Sequence, residues 1–234
     1  GVQLRAADTE VRALVGSTAT VGLRAEAPGR AAGAGRLQIR VGVPSGEDIA
    51  VVADTSGLAA ATVETKGLEP GTYQVAAAVD LSSLGSAAAE DNIEVTVPET
   101  SLSLVVRPLS VYLSVQSAEG SAVPSLEGFL REHVSETVPV SFTDRRPAAD
   151  AELSVTVQSR ELPENDYGIV FVFAHAVISG TRGGENVLNY RTPEVKEGGL
   201  DAGQALSRAV GKLQDHLGTD AQFRSALESF ARGS

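Results

Sequence analysis

The 234 residues predict an all-β antiparallel sandwich over residues 1–98, followed by an α+β domain over residues 99–234 ordered strand, helix, strands, helix, helix. Three observations carry this. Short runs of alternating apolar and polar residues recur through the first hundred positions, separated by turn residues. The pattern changes at Pro98-Glu99-Thr100, read as the hinge. Beyond it, apolar residues return at helical spacing in three segments. Period two buries one side of a strand, whereas a period near 3.6 buries a stripe along a helix.

In the first half the predicted strands are Val2–Arg5, Glu10–Leu14, Thr18–Ala25, Arg36–Val43, Asp48–Ala53, Leu58–Glu64, Tyr73–Val79 and Ile93–Val97. Thr20-Val21-Gly22-Leu23-Arg24-Ala25 and Leu37-Gln38-Ile39-Arg40-Val41 alternate without a break. Pro28-Gly29, Pro44-Ser45-Gly46, Thr55-Ser56-Gly57 and Pro70-Gly71 are turns, because proline presets φ and glycine accepts positive φ. Ala31 to Gly35 and residues 81–91 are predicted loops. Seven or eight strands at this spacing favour a sandwich.

After the hinge, Leu102–Val106 and Val111–Val115 are strands around Arg107-Pro108. Pro124–Glu136 is a helix with Leu126, Phe129, Leu130 and Val134 on one stripe. Val138–Phe142, Ala151–Gln158, Tyr167–Ile178 and Glu185–Tyr190 follow as strands. Asp201 with Gln204 has capping-box spacing ahead of Leu206, Val210, Leu213 and Leu217, and Gly218 suits the stop. Thr219 with Gln222 repeats the cap before Phe223, Ala226, Leu227 and Phe230.

Two resemblances sharpen this. Ala53-Asp54-Thr55-Ser56-Gly57-Leu58-Ala59-Ala60-Ala61-Thr62-Val63 is similar to the turn and strand of bacterial Ig-like domains. Leu68 to Val75 resembles the entry to their next core strand, with Tyr73 in the place of a tyrosine corner. The Cys-Trp-Cys signature of antibody domains is absent, so the bacterial or fibronectin-like branch remains. This resemblance implies that the sandwich of residues 1–98 is Ig-like. The second half resembles a group of bacterial envelope modules: the curli-secretion lipoprotein, the TolB amino-terminal domain and the lipoprotein activators of penicillin-binding proteins. Asp150 to Val157, Tyr167 to Ile178, and Glu194 to Asp201 leading into Ala205–Val210 carry it. It implies an extracytoplasmic location, in the periplasm or at the cell surface, and a scaffold or partner-binding role.

Composition narrows the function. Net charge is −11, and both halves are acidic, with 13 acids against 7 bases in residues 1–105 and 17 against 12 in residues 106–234. Phosphate neutralisation needs a cationic surface, so nucleic acid is not an expected partner. A polybasic membrane patch is missing for the same reason. No apolar run reaches the roughly 18 residues of a membrane helix. Cysteine is absent, which removes disulfides, thiolate metal sites and cysteine nucleophiles. The chain starts at Gly and has no Met, so it is expected to be a mature or trimmed product, with any export signal or anchor upstream.

Motifs of chemistry are thin. His133, His175 and His216 lie on separate elements without ligand spacing, so no metal site is expected. His175 interrupts an apolar strand on the side of Phe171 and Phe173, where a buried ring needs a hydrogen-bond partner. No Gly-x-Ser-x-Gly or Ser-x-x-Lys is present, and Thr192 to Lys196 is one residue too long for the latter. Ser179 to Gly184 lacks the Gly-Lys-Ser/Thr ending of a phosphate loop and is followed by a strand, so a hairpin loop is expected. Acid groups at Glu47-Asp48, Glu90-Asp91 and Glu161, Glu164 and Asp166 lack a calcium-loop pattern, though weak calcium binding in the first half stays open.

The reading is therefore a non-enzymatic envelope module that binds a protein partner, with no cofactor. The alternative is a glycan-binding or adhesive accessory region of a larger surface protein or enzyme, although sugar platforms prefer aromatics and Trp is absent. The candidate partner-binding residues are Arg145 and Arg146, paired guanidinium groups before Pro147, and Tyr190 with Arg191 at a strand end.

Overall fold

The computed structural model describes residues 2–26, 37–80, 97–163 and 165–232. By internal contacts the chain divides into two units, Gly1–Arg107 and Pro108–Ser234. The expected turn at Pro28-Gly29, the loops at Ala31–Gly35 and 81–91, the strand from Ile93 (Val97 excepted), and the acids Glu90, Asp91 and Glu164 lie outside the described residues.

The first unit contains β1 (Gln3–Ala6), β2 (Glu10–Leu14), β3 (Thr18–Glu26), β4 (Gln38–Gly42), β5 (Asp48–Val52), β6 (Leu58–Glu64), β7 (Gly71–Val79) and β8 (Glu99–Arg107). They form two sheets, β1-β3-β6 and β2-β8-β7-β4-β5. Alternation buries Ala19, Val21, Leu23 and Ala25 of β3 against Val41, Val63, Val75 and Leu104 in one core. Local chemistry sets the turns. Asp54 Oδ1 accepts from the amides of Ser56 and Leu58 at 2.8 and 3.0 Å. The Tyr73 hydroxyl donates to the Glu69 carbonyl at 2.8 Å, the hydrogen bond of a tyrosine corner.

The second unit contains β9 (Leu109–Ser117), α1 (Pro124–Thr137), β10 (Val140–Phe142), β11 (Ala151–Leu162), β12 (Val170–Arg182), β13 (Glu185–Arg191), β14 (Val195–Gly199), α2 (Ala202–Thr219) and α3 (Ala221–Arg232). One sheet runs β10-β9-β11-β12-β13, with β14 also paired to β12. The helices cover one of its faces, where Leu126, Leu130, Leu213, Leu217, Phe223 and Phe230 are fully buried with Leu153 and Ile178. Each such side chain contributes roughly 1.5–3 kcal/mol by leaving water. The other face is not covered by any of these helices.

The structure corrects the expected fold class, an all-β Ig-like antiparallel sandwich followed by an α+β domain. The described residues are mostly β, with 50% strand and 23% helix, and their three α-helices all come late. Among the described residues the chain's three sheets mix parallel with antiparallel pairs, where the first half was expected to be antiparallel throughout. β2 pairs parallel with β8, and the sheet holding them curls as a half-barrel. β9 pairs parallel with both β10 and β11. Alternation specifies which side of a strand is buried, not which distant strand lies beside it or in which direction. The boundary moves for the same reason. Residues 99–107 were expected in the later domain, but β8 pairs antiparallel with β7 and parallel with β2, so the division falls after Arg107 instead of Pro98.

Smaller differences have local causes. Asp201 Oδ1 accepts from the Gln204 amide at 2.7 Å as predicted, while the Gln204 side chain reaches the Leu200 amide. Gly218 does not stop α2, which continues to Thr219. The cap of α3 is Asp220, whose Oδ1 accepts from the Phe223 amide at 2.8 Å. Thr219 turns back, its hydroxyl donating to the Asp215 carbonyl. β14 was expected only as a lead into α2. Its glycines disguise it, and Gly199 is required because a Cβ there would sit 2.6 Å from the Ala205 nitrogen.

Candidate binding face of the six-stranded sheet

β12, with 13 residues, is the longest strand among the described residues. Its even-numbered residues from Val170 to Ile178 are buried beneath the helices. The alternate set, Phe171, Phe173, His175 and Val177, lies on the uncovered face. Register then decides their neighbours. Arg160 of β11 and Lys196 of β14 both lie opposite Phe173, Gln158 lies opposite His175, and Arg191 of β13 lies opposite Val177.

A bulge shapes the edge of this face. Arg191 pairs with Val177, and Val195 pairs with Ala174. Four steps on the edge chain therefore match three on β12. The step from β13 to β14 is held by Thr192, 3% exposed, whose Oγ1 accepts from the Ala176 amide at 2.9 Å while its own amide donates to the Ala176 carbonyl. Pro193 and Glu194 carry the extra residue past His175. Bulges of this kind re-aim side chains at sheet edges.

The resulting face is an aromatic and cationic ladder. The Arg160 guanidinium lies 4.6 Å from the Phe173 ring centre. Lys196 Nζ lies 4.4 Å from the Phe171 ring and 5.5 Å from that of Phe173. Such contacts contribute about 0.5–1 kcal/mol each at exposed sites and hold the charges in place. Arg160 also faces Glu194 at 3.8 Å, but both are exposed, so that pair adds little. Lys196 and Arg191 have no ion-pair partner among the described residues.

His175 is 8% exposed, and its Nε2 has no hydrogen-bond partner among the described residues. Burial pushes its pKa down, the nearby Arg191 charge adds to this, and Glu194 opposes it. The ring is therefore neutral near pH 7. An unpaired buried polar atom costs about 1–3 kcal/mol, so this covered nitrogen is a local cost to the fold beneath the face.

The predicted partner residues separate. Arg191 belongs to this face. Tyr190 precedes it on β13 and points to the helix side, where its ring lies 5.1 Å from Phe223 and its hydroxyl 3.0 Å from His216 Nε2. Burial raises the Tyr190 phenol to about 12, with the Asp220 charge assisting. Asp220 itself is held below the usual carboxylate range, first by the Phe223 amide. This cluster clamps the α2–α3 junction to β13. Arg146 is committed to Glu152 by two contacts of 2.7 and 2.8 Å, and Arg145 is exposed in the preceding turn. Glu152 and Arg160 are eight residues apart on β11, or about 26 Å by strand rise, so the Arg145-Arg146 pair and the ladder are distinct places. The expected hairpin between β12 and β13 forms, with Gly183 and Gly184 at φ 59° and 84°.

Sequence reading named His175 with Phe171 and Phe173 but missed Arg160 and Lys196. Only cross-strand register puts those two beside the rings. Of the other histidines, His133 stacks on Phe129 at 5.4 Å on the helix side. Among the described residues no three His, Asp or Glu side chains are grouped to hold a metal ion.

No protein-family model matches the chain. No curated protein matches it either. Among solved structures, a crystal structure of an uncharacterized protein aligns over 47% of this chain and 86% of its own, at 14% identity and a TM-score of 0.27. At that score the likeness carries neither fold nor function to this chain.

Proposed function

We propose that the chain is a protein-binding module of the cell envelope, acting by docking a partner and not by chemistry, with the uncovered face of the six-stranded sheet as its docking surface. The observation that carries this is the ladder of Arg160, Lys196 and Arg191 around Phe171, Phe173 and His175. Cation-bearing guanidinium and aromatic groups are the side chains enriched where proteins bind one another. The ring faces on which a sugar would stack already hold cations, which favours a protein partner over a glycan. The envelope location rests on the likeness of the segments at 150–157, 167–178 and 194–210 to envelope lipoprotein modules.

The test is photo-crosslinking of the full chain in extract from its cell of origin. A benzophenone residue replaces Val177 on the uncovered face or, as control, Ser229 on α3. A discrete, protease-sensitive adduct is expected from position 177 alone. Excess unlabelled chain should compete it away, and chain carrying R160Q, K196Q and R191Q should not. Equal adducts from both positions, or none from 177, would overturn the proposal.

A further inference from the structure

Resting on that docking reading, we infer that the occupant of the face is an extended, carboxylate-rich segment of the partner, with acidic side chains seated beside Lys196–Arg160 and beside Arg191. The charge pattern points this way. Residues 108–234 hold 17 acids and 11 bases, yet among the described residues the uncovered face at the ladder sets three cations, Arg160, Lys196 and Arg191, against Glu194, while Glu161 and Glu197 lie opposite Val172 on the helix side. Among the described residues Lys196 and Arg191 are left without an ion pair in a chain rich in acids, and Lys196 and Arg160 are held over one shared ring despite their like charge. An incoming carboxylate relieves that repulsion and meets charged donors engaged only by the exposed, 3.8 Å Arg160–Glu194 pair.

Spacing selects an extended segment. Phe173, opposite Lys196 and Arg160, and Val177, opposite Arg191, are four residues apart on β12. That is about 13 Å, which is also the distance between side chains four residues apart on one side of an extended peptide. Between these two positions sits His175, whose Nε2 lacks a partner. The residue of the same segment midway between the two acids passes over this covered ring. The overall acidity of the chain argues against a nucleic acid on this face, because long-range repulsion acts on a polyanion more than on a few carboxylates.

The test uses the full chain and two labelled probes, acetyl-(Glu-Val)4-amide and acetyl-(Gln-Val)4-amide, read by fluorescence anisotropy at low and high salt and by amide chemical shifts. The Glu probe is expected to shift amides around Phe173 and Val177 and to bind at least tenfold more tightly than the Gln probe. Its binding should weaken at least tenfold in the double variant K196Q/R191Q and stay within twofold in R145Q. The amide spectra report in the same experiment that each variant is folded. Equal binding of both probes at this face overturns the carboxylate inference and leaves the docking reading standing. An equal loss in R145Q, or no binding of the Glu probe at millimolar concentration, also overturns the inference, while crosslinking from position 177 separately decides the wider reading.

Discussion

Replacing His175 with Leu should strengthen the fold. The imidazole is more than nine-tenths covered, and its Nε2 has no partner among the described residues. Leu has similar volume, suits the apolar surroundings of Phe173 and Val177, and brings no polar atom to satisfy. Removing the unpaired nitrogen recovers part of its cost of about 1–3 kcal/mol, so a gain of about 1–2 kcal/mol is expected at pH 7.5. That corresponds to about 3–5 °C per kcal/mol for a domain of this size. The gain should depend on pH. The folded pKa of His175 is lowered, so below about 6.5 the unfolded chain binds more protons than the folded one. Wild-type stability therefore falls as pH drops through the ordinary histidine value towards the lower folded one, and the Leu variant lacks this loss. Urea unfolding at pH 7.5, 6.5 and 5.5, followed through β12 amide resonances, measures both effects. A variant less stable than wild type at pH 7.5, or an advantage that does not grow towards acid, would refute the reasoning.

Three further outcomes follow from the helix side of the same unit. Gly199→Ala should destabilise by about 2 kcal/mol or more in urea, because the new methyl group meets the Ala205 nitrogen at 2.6 Å and the Asp201 carbonyl oxygen at 2.9 Å, both backbone atoms of the α2 start. Asp201→Ala should cost about 1 kcal/mol through the lost cap on the Gln204 amide, and Asp201→Asn should recover most of it by the same measurement. Absorbance titration at 295 nm should show a phenol ionising at about 12 that disappears in Tyr190→Phe, since Tyr190 is raised by burial and by Asp220; an unchanged high-pH step in that variant would contradict the clamp.

Much of the local structure was written in the amino-acid sequence alone. Alternation located β3 and β6 within a residue or two, the helical stripes located α1 and α2, and Asp201 and Gly183-Gly184 act where their side-chain or backbone chemistry said they would. Such features depend on residues a few positions apart, whose spacing fixes geometry before any tertiary contact forms. Strand partnership is different in kind. β2 and β8 are separated by most of the first unit, and neither sequence says that they pair in parallel or that β8 closes that unit. The binding face shows the same division. Tyr190 and Arg191 looked like one site because they are adjacent, but a strand sends neighbours to opposite faces. Arg160 and Lys196 looked unrelated because 35 positions separate them, yet register sets both over Phe173. Residue type and period determined which side chains could serve. The choice of neighbouring strands, which depends on how distant buried surfaces fit together, determined which of them meet.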